Sequence, residues 1–126
     1  MGISTILKIL SDENRLRIMN ILKEYSLCAG EIQTILNIKQ SNASRHLEKL
    51  KSNRLITNQK KAQWIYYQLC NEQLEEYSFI KHLLFEDIKN YSIYQEDLYK
   101  LNKYKSSGLC CQDLRNIGFD FNKIKF

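Results

Sequence analysis

The residues of this chain best suited to chemistry are its four cysteines, Cys28, Cys70, Cys110 and Cys111. Cys110 and Cys111 are adjacent, so their Cα atoms lie about 3.8 Å apart, which is below the usual range for a disulfide. This spacing favours a shared soft ion over a stable bond between them, with a thiol redox switch as the alternative. A thiol enzyme would need a thioredoxin-like context or a positioned base, and the sequence shows neither, so we expect no enzyme.

A second group of functional candidates lies on one face of a helix predicted over Gln40–Leu50. Ala43, Leu47 and Leu50 recur at i, i+4 and i+7, which predicts an apolar row that packs inward. The opposite face carries mainly short hydrogen-bonding side chains and one arginine, namely Gln40, Ser41, Ser44, Arg45 and Glu48. Such side chains at a helix N-terminus can hydrogen-bond to base edges in a DNA major groove. Taken alone, the pattern also fits an ordinary amphipathic surface helix.

The composition limits the classes of protein to consider. With 126 residues, 44% of them hydrophobic and 14 of them aromatic (one Trp, eight Tyr and five Phe), the chain can fold around a modest core. A net charge of +5 favours a polyanionic partner without identifying it. No stretch approaches 18 apolar residues and no secretory signal is recognisable, so we expect no membrane span and a cytoplasmic location with reduced thiols.

The elements around the predicted helix give it a context. Ser11 is predicted to cap a second helix that follows a short first one, with Arg15 and Arg17 outside its apolar set. A short third helix ends before the turn Asn37–Lys39, so it forms a helix-turn-helix with the segment that starts at Gln40. The period then changes from 3.6 to 2 over residues 55–59 and 64–69, which predicts a hairpin, or wing, with Lys60 and Lys61 in its turn.

Helical spacing returns over residues 72–88 and again over 94–104. The first of these stretches predicts one long helix whose apolar face is wider than so short a chain can cover, which favours a dimer interface. Residues 106–126 show no clear period and include Cys110 and Cys111. We therefore predict a winged helix-turn-helix and dimerisation domain over 1–105 and a C-terminal tail over 106–126. The fold class is mainly α with a small β-hairpin.

This order of elements resembles the ArsR/SmtB family of winged-helix metalloregulatory repressors. The matching residues are 10–18 (LSDENRLRI), 27–32 (LCAGEI), 40–47 (QSNASRHL) with Leu50, Leu55 and Ile56, and 65–67 (IYY). The resemblance spans about residues 3–86. It implies a homodimer that binds double-stranded operator DNA with an inverted repeat and releases it when a metal or metalloid binds.

The resemblance also implies which residues contact DNA and which hold the inducer. The DNA-binding candidates are Gln40, Ser41, Asn42, Ser44, Arg45 and His46, with Lys60 and Lys61 of the wing. In the arsenic-sensing branch a Cys-x-Cys pair opens the third helix, where this chain has Cys28, Ala29 and Gly30, so only the first position matches. We expect Cys110 and Cys111 to supply the other thiolates of a three-sulfur site for As(III) or Sb(III).

Other inducers fit the sequence less well or remain as alternatives. The zinc-sensing branch uses carboxylate and His ligands on the long helix, and residues 72–89 contain only His82. Cadmium or lead sensing needs cysteines nearer the N-terminus, and none precedes Cys28. A methylated arsenical, which needs two thiolates, and a thiol redox signal remain alternatives. Cys70 is predicted to be structural.

Overall fold

The computed structural model describes residues 2–126. Of the predicted domain over 1–105, only Met1 lies outside the described residues. None of the described helices is long and apolar enough to cross a membrane. The helices are α1 (Ile3–Leu10), α2 (Glu13–Leu22), α3 (Ala29–Leu36), α4 (Gln40–Ser52), α5 (Asn71–Glu76), α6 (Ser78–His82), α7 (Ser92–Ser106) and α8 (Cys111–Asn116). The strands are β1 (Leu27–Cys28), β2 (Ile56–Lys61) and β3 (Trp64–Leu69).

The N-terminal helices follow the predicted order with one change at a cap. Ser11 ends α1 instead of starting α2, and its hydroxyl donates to the Lys8 carbonyl at 2.7 Å. The N-cap of α2 is Asp12, whose carboxylate accepts a hydrogen bond from the Arg15 backbone N–H at 3.1 Å. Asp is as good an N-cap as Ser, so α2 begins one residue later than predicted without losing its cap.

The helix-turn-helix has the predicted boundaries. Helix α3 ends at Asn37, which takes a left-handed conformation with φ 54° and donates its backbone N–H to the Gln33 carbonyl. Asn tolerates this conformation better than most residues, so the chain can turn within three residues and begin α4 at Gln40. Ala43, Leu47 and Leu50 of α4 are buried, as the apolar row predicted.

The sheet contains one more strand than the predicted hairpin. Its order is β1-β3-β2 with antiparallel pairs, and β1 places Cys28 opposite Tyr66. Strand β2 runs to Lys61, so the two lysines lie at the end of the strand, and the turn is Ala62–Gln63 and not the predicted four residues 60–63. A two-residue strand such as β1 is too short to show an alternating pattern, and the sequence therefore could not reveal it.

The long helix predicted over residues 72–88 is interrupted. Helix α5 stops at Tyr77, and α6 continues into a π-helical turn over Leu83–Asp87. The apolar side chains of this stretch are largely covered within the same chain, since Leu74, Ile80, Leu84 and Ile88 are buried. The idea that this face is too wide for the chain to cover is therefore wrong for most of it, although Phe85 stays 43% exposed.

The C-terminal residues pack against the folded domain. Helix α8 lies against α3, with Leu114 fully buried, and a 3₁₀ turn over Phe121–Lys123 is followed by buried Ile124. Cation–π contacts hold the end of the chain on α7, with Lys100 above Phe121 and Lys103 above Phe126. The segment that showed no period in the sequence thus covers part of the core.

An ion pair joins α2, α3 and α7. The Arg17 guanidinium donates to both carboxylate oxygens of Asp97, at 2.7 and 2.9 Å, and to the Leu36 carbonyl at 2.9 Å. Both side chains are largely buried, at 14% and 3% exposure, so Arg17 does not face solvent although it lies outside the apolar set of α2. The bidentate pair links α2 to α7, and the bond to the Leu36 carbonyl anchors the last turn of α3 just before the turn to α4.

Candidate functional site

One candidate site is the outer face of α4. Gln40, Ser41, Ser44 and Arg45 are exposed, and Asn42 is half-buried. The Arg45 guanidinium lies 3.5 Å from the Asn42 side-chain oxygen, so the two can orient each other on the helix surface. The exposed residues lie in the first two turns of α4. They form the polar face that the sequence predicted.

His46 lies on the other side of α4 from this face. Its ring is buried, with Nδ1 at 3.3 Å from the Arg15 guanidinium and Nε2 at 3.9 Å from the Asp12 carboxylate. Burial lowers the pKa of His46 below its ordinary value, with a further decrease from the charges of Arg45 and Arg15 and an opposing increase from Asp12. The ring therefore connects α4 to α2 and does not share the exposed face with the other predicted DNA contacts.

The wing projects two cations beside this helix. Lys60 and Lys61 are exposed at the end of β2, and the Lys61 ammonium lies 5.7 Å from the centre of the Tyr66 ring. The turn that follows begins at Ala62, which has φ 56°. Lysines at a hairpin end can contact phosphates without reading sequence.

A second candidate site is formed by cysteines from distant parts of the chain. Cys28 is the N-cap of α3 and Cys111 is the first residue of α8, and the structure joins their sulfurs as a disulfide with Cα atoms 7.0 Å apart. Both residues are buried. The Tyr66 hydroxyl lies 3.7 Å from the Cys111 sulfur, which places β3 beside the pair.

The remaining two cysteines lie apart from the pair. Cys110 is the N-cap of α8 and is exposed, with its backbone N–H donating to the Asp113 carboxylate at 2.8 Å. Cys70 is half-buried at the start of α5. Of the three predicted ligands, the structure thus brings Cys28 and Cys111 together and leaves the Cys110 thiol at the surface.

Two residues at the thiol pair were missed by the sequence reasoning. Glu31 is buried and accepts hydrogen bonds from the Cys28 backbone N–H at 2.9 Å and from the Tyr104 hydroxyl. Burial, and then the hydrogen bond to Glu31, raise the pKa of Tyr104 far above its ordinary value, so this hydroxyl stays protonated and donates. A capping-box spacing, with Cys28 at the N-cap and Glu31 three residues later, was the available signal for Glu31.

Phe119 lies between the thiol pair and the polar face of α4. Its ring lies so close to Gly30 that a Cβ there would come within 2.5 Å of a ring carbon. The same ring lines a groove of about 290 Å³ together with Cys28, and the groove continues to Gln40 and Ser44 at the start of α4. Gln63 of the wing lines it too and its side-chain amide donates to that of Gln112 in α8 at 3.3 Å. The C-terminal segment thus contacts α3 and the wing.

Known proteins resemble this chain in sequence and in fold. Residues 12–58 match the family model described as "Bacterial regulatory protein, arsR family". The arsenical resistance operon repressor of Staphylococcus aureus is 38% identical over 74 residues, which cover 59% of this chain and 71% of that protein. The chain belongs to the ArsR family. This membership confirms the resemblance found in the sequence and makes the chain a transcriptional regulator, as its relatives are.

Other relatives of this chain have names that state a different regulatory role or only the fold. The transcriptional activator HlyU of Vibrio cholerae is 31% identical over 80 residues, covering 64% of this chain and 74% of that protein. The structure of reduced HlyU has a TM-score of 0.56 at 30% identity and covers 66% of this chain and 87% of that chain. A homodimeric winged helix-turn-helix domain from Mycobacterium bovis, with a TM-score of 0.60 at 20% identity, covers 71% of this chain and 81% of that chain and supports the fold alone.

Proposed function

We propose that this ArsR-family chain is a repressor that binds an inverted-repeat operator as a homodimer and releases it when As(III) or Sb(III) binds to cysteine thiolates. The observation that carries this proposal is the position of Cys28. It caps α3, the first helix of the helix-turn-helix, and it lies against Cys111 of the C-terminal segment. A ligand held by these sulfurs therefore acts on the helix that supports the DNA-reading helix. The name of the S. aureus relative supports the choice of metalloid.

In this proposal the exposed face of α4 contacts the operator. Gln40, Ser41, Ser44 and Arg45 contact base edges or nearby phosphates, while Lys60 and Lys61 contact the backbone beside the groove. Asn42 orients Arg45. His46 acts indirectly, since its buried ring fixes α4 on α2 through Asp12 and Arg15.

The inducer is held in the dithiol form of the Cys28 and Cys111 pair. Arsenite, As(OH)₃, condenses with three thiols to give three As–S bonds and three water molecules, and soft thiolates suit this ion. Cys28 and Cys111 provide the first two sulfurs, and Cys110, adjacent to Cys111, turns inward to provide the third. A methylated arsenical, CH₃As(OH)₂, needs only the first two and releases two water molecules.

The route from the inducer to DNA follows the contacts of the C-terminal segment. Drawing Cys111 toward a bound metalloid shifts α8, and with it Phe119 on Gly30 and Gln112 on Gln63 of the wing. The helix-turn-helix and the wing then lose their DNA-binding arrangement together. A coupling of about 1–3 kcal/mol changes operator affinity roughly 5- to 150-fold.

Titration of arsenite into a complex of the reduced protein with its own promoter DNA, followed by fluorescence anisotropy, tests this function. We expect release from the wild-type protein and from Cys70→Ser, the matched control. Cys28→Ser and Cys111→Ser should bind the promoter and no longer release it. Cys110→Ser should respond weakly to arsenite and fully to methylarsenite. Equal arsenite response in all four variants would contradict the thiolate sensor.

A second candidate signal is thiol oxidation, which the disulfide between Cys28 and Cys111 favours. Hydrogen peroxide oxidises the two thiols to one disulfide and is itself reduced to two water molecules. Peroxide added to the metalloid-free complex should then release DNA from the wild-type protein, and a thiol reductant should restore binding. Unchanged binding of the fully oxidised protein would contradict this candidate.

A further inference from the structure

The buried carboxylate of Glu31 is the part of the thiol site that the proposed function leaves unused. The two sulfurs of Cys28 and Cys111 and one carboxylate oxygen of Glu31 all lie within 4.8 Å of one another. Glu31 is 3% exposed, and the cysteines are 2% and 1% exposed. These residues therefore form a compact set of three donors that water reaches poorly.

The described residues provide no cation for this carboxylate. Its hydrogen bonds come from the Cys28 backbone and the Tyr104 hydroxyl, both uncharged, and no Lys, Arg or His in residues 2–126 forms an ion pair with it. Burying a carboxylate without a counter-charge is costly. The reduced site therefore favours the binding of a cation beside this carboxylate.

The carboxylate is also held in a way that leaves it able to coordinate. One oxygen accepts from the Cys28 N–H and the other from the Tyr104 hydroxyl, and each keeps a further lone pair. Tyr104 is fully buried, so its hydroxyl holds the carboxylate in a fixed orientation. The remaining lone pair of each oxygen stays available to a cation. Cys110 is exposed and takes no part in this cluster.

We propose that Cys28, Cys111 and Glu31 of one chain bind a divalent cation of borderline softness, of the Zn²⁺ class, when the two cysteines are reduced. Two thiolates and one carboxylate are donors that Zn²⁺ accepts, and they leave the fourth position of a tetrahedral site to water. Each thiol gives its proton to solvent as the ion binds. The inference rests on the proposed function for its two thiols and adds Glu31 as a ligand, with Tyr104 as a positioning residue.

Co²⁺ titration of the reduced full-length protein tests this site, since Co²⁺ reports thiolate coordination by near-ultraviolet charge-transfer absorption and tetrahedral geometry by visible bands. We expect one Co²⁺ per chain in the wild type and in Cys110→Ser, with absorption corresponding to two thiolates. Glu31→Gln should weaken binding at least tenfold, and Tyr104→Phe should weaken it less. Wild-type affinity in Glu31→Gln together with lost binding in Cys110→Ser would overturn the assignment.

A measurement on the unmodified protein covers the case in which Glu31→Gln does not fold. X-ray absorption of the Zn²⁺ form should show two sulfur and two lighter neighbours around the ion, whereas three sulfur neighbours would exclude the carboxylate as the third donor. The arsenite assay separates this inference from the proposed function. Folded Glu31→Gln should keep its arsenite response, because three thiolates bind the metalloid, and a protein that binds Co²⁺ but ignores arsenite would refute only the proposed function.

Discussion

Gly30 occupies the position at which the arsenic-sensing resemblance places the second cysteine of a Cys-x-Cys pair. The absence of a side chain at Gly30 lets the Phe119 ring pack there. The ring packs where any side chain at residue 30 would lie. The glycine that replaces the second cysteine therefore also allows the C-terminal segment to pack on α3. In the proposed inducer site, Cys111 of that segment supplies the second sulfur beside Cys28.

Replacing Gly30 by Ala should change the free energy of unfolding in opposite directions in the presence and absence of the Phe119 ring. In the otherwise wild-type reduced protein, the added Cβ displaces Phe119, and we expect the free energy of unfolding to fall by about 1–3 kcal/mol. In a Phe119→Ala background the same change should raise it by about 0.5–1 kcal/mol, because Ala is the better residue inside α3. Urea denaturation of the four proteins measures both effects. Equal destabilisation in both backgrounds would contradict the close approach.

His46 should make stability depend on pH in a defined direction. Burial lowers its folded-state pKa below the ordinary 6.5, so below that pH the unfolded chain binds the proton more readily. The free energy of unfolding is therefore expected to fall as pH drops from about 6.5 toward the folded-state pKa, and His46→Gln should remove that part of the decrease.

The charged groups facing this ring are Asp12, Arg15 and Arg45, and all three are present in both the wild type and the variant. Urea denaturation at several pH values between 5 and 8 provides the measurement. His82→Gln is the comparison variant, because it removes the other histidine of the chain, whose ring lies at the surface beside Asp87. A slope that survives in His46→Gln would assign the acid sensitivity to other groups.

Single residues were predictable from sequence where one helix face carried the information. The inward row of Ala43, Leu47 and Leu50 and the polar face of α4 follow from helical spacing alone. Glu31 and Tyr104 were not predictable as a pair, since they are separated by 73 positions and meet only because α7 packs on α3. The approach of Phe119 to Gly30 depends on tertiary packing in the same way.

At the scale of elements, α4 and the wing present two different kinds of surface for the proposed DNA contacts. Helix α4 presents hydrogen-bonding side chains, whereas β2 ends in two exposed lysines that sequence-specific contacts do not require. The pair Lys60 and Lys61 should therefore contribute to affinity through phosphate neutralisation, and Arg45 should contribute to the choice of sequence.

Salt dependence distinguishes these contributions. The double variant Lys60→Ala and Lys61→Ala should reduce the slope of log affinity against log salt by about 1.8, since each phosphate contact contributes about 0.9. It should lower the affinity for operator DNA and for non-operator DNA by the same factor. Arg45→Ala should instead weaken operator binding by about 1–3 kcal/mol more than non-operator binding. An unchanged slope in the lysine variant would mean that the wing does not touch phosphate.

Some elements could not be predicted because their sequence signal was short or ambiguous. The apolar spacing over residues 72–88 fits one helix, and no Gly or Pro marks the break at Tyr77 that the structure contains. Helix α8 has six residues, too few to establish a period, and it is held mainly by burial of Cys111 and Leu114. The helix-turn-helix and wing were predictable because their patterns extend over whole elements with clear turns.

At the scale of the whole molecule, exposed apolar side chains on α1 indicate where a second copy could pack. Ile3 and Leu7 lie four residues apart on one helical face and are 54% and 50% exposed. A self-complementary contact of two such faces is the usual form of a dimer interface. In the proposed homodimer, α1 therefore contributes to the interface, which the sequence pattern had placed on residues 72–88.

Leu7→Lys should weaken this dimer, because it places a charge at a contact that excludes water. We expect at least a tenfold increase in the monomer–dimer dissociation constant by analytical ultracentrifugation, with a parallel loss of operator affinity. Thr5→Lys, an exposed change on the same helix, is the matched control and should dimerise normally. Unchanged dimerisation of Leu7→Lys would remove α1 from the interface.

The link between Cys28 and Cys111 joins positions 83 residues apart, so it closes a covalent ring that includes α4 and the wing. Closing a loop of this size lowers the entropy of the unfolded chain by an amount worth about 4–5 kcal/mol. A metalloid that bridges the same sulfurs closes the same ring. In the proposed function, the oxidised or metalloid-bound form is therefore expected to resist unfolding better than the reduced, ligand-free form. Renewed binding to the operator would then depend on loss of the bridging ligand.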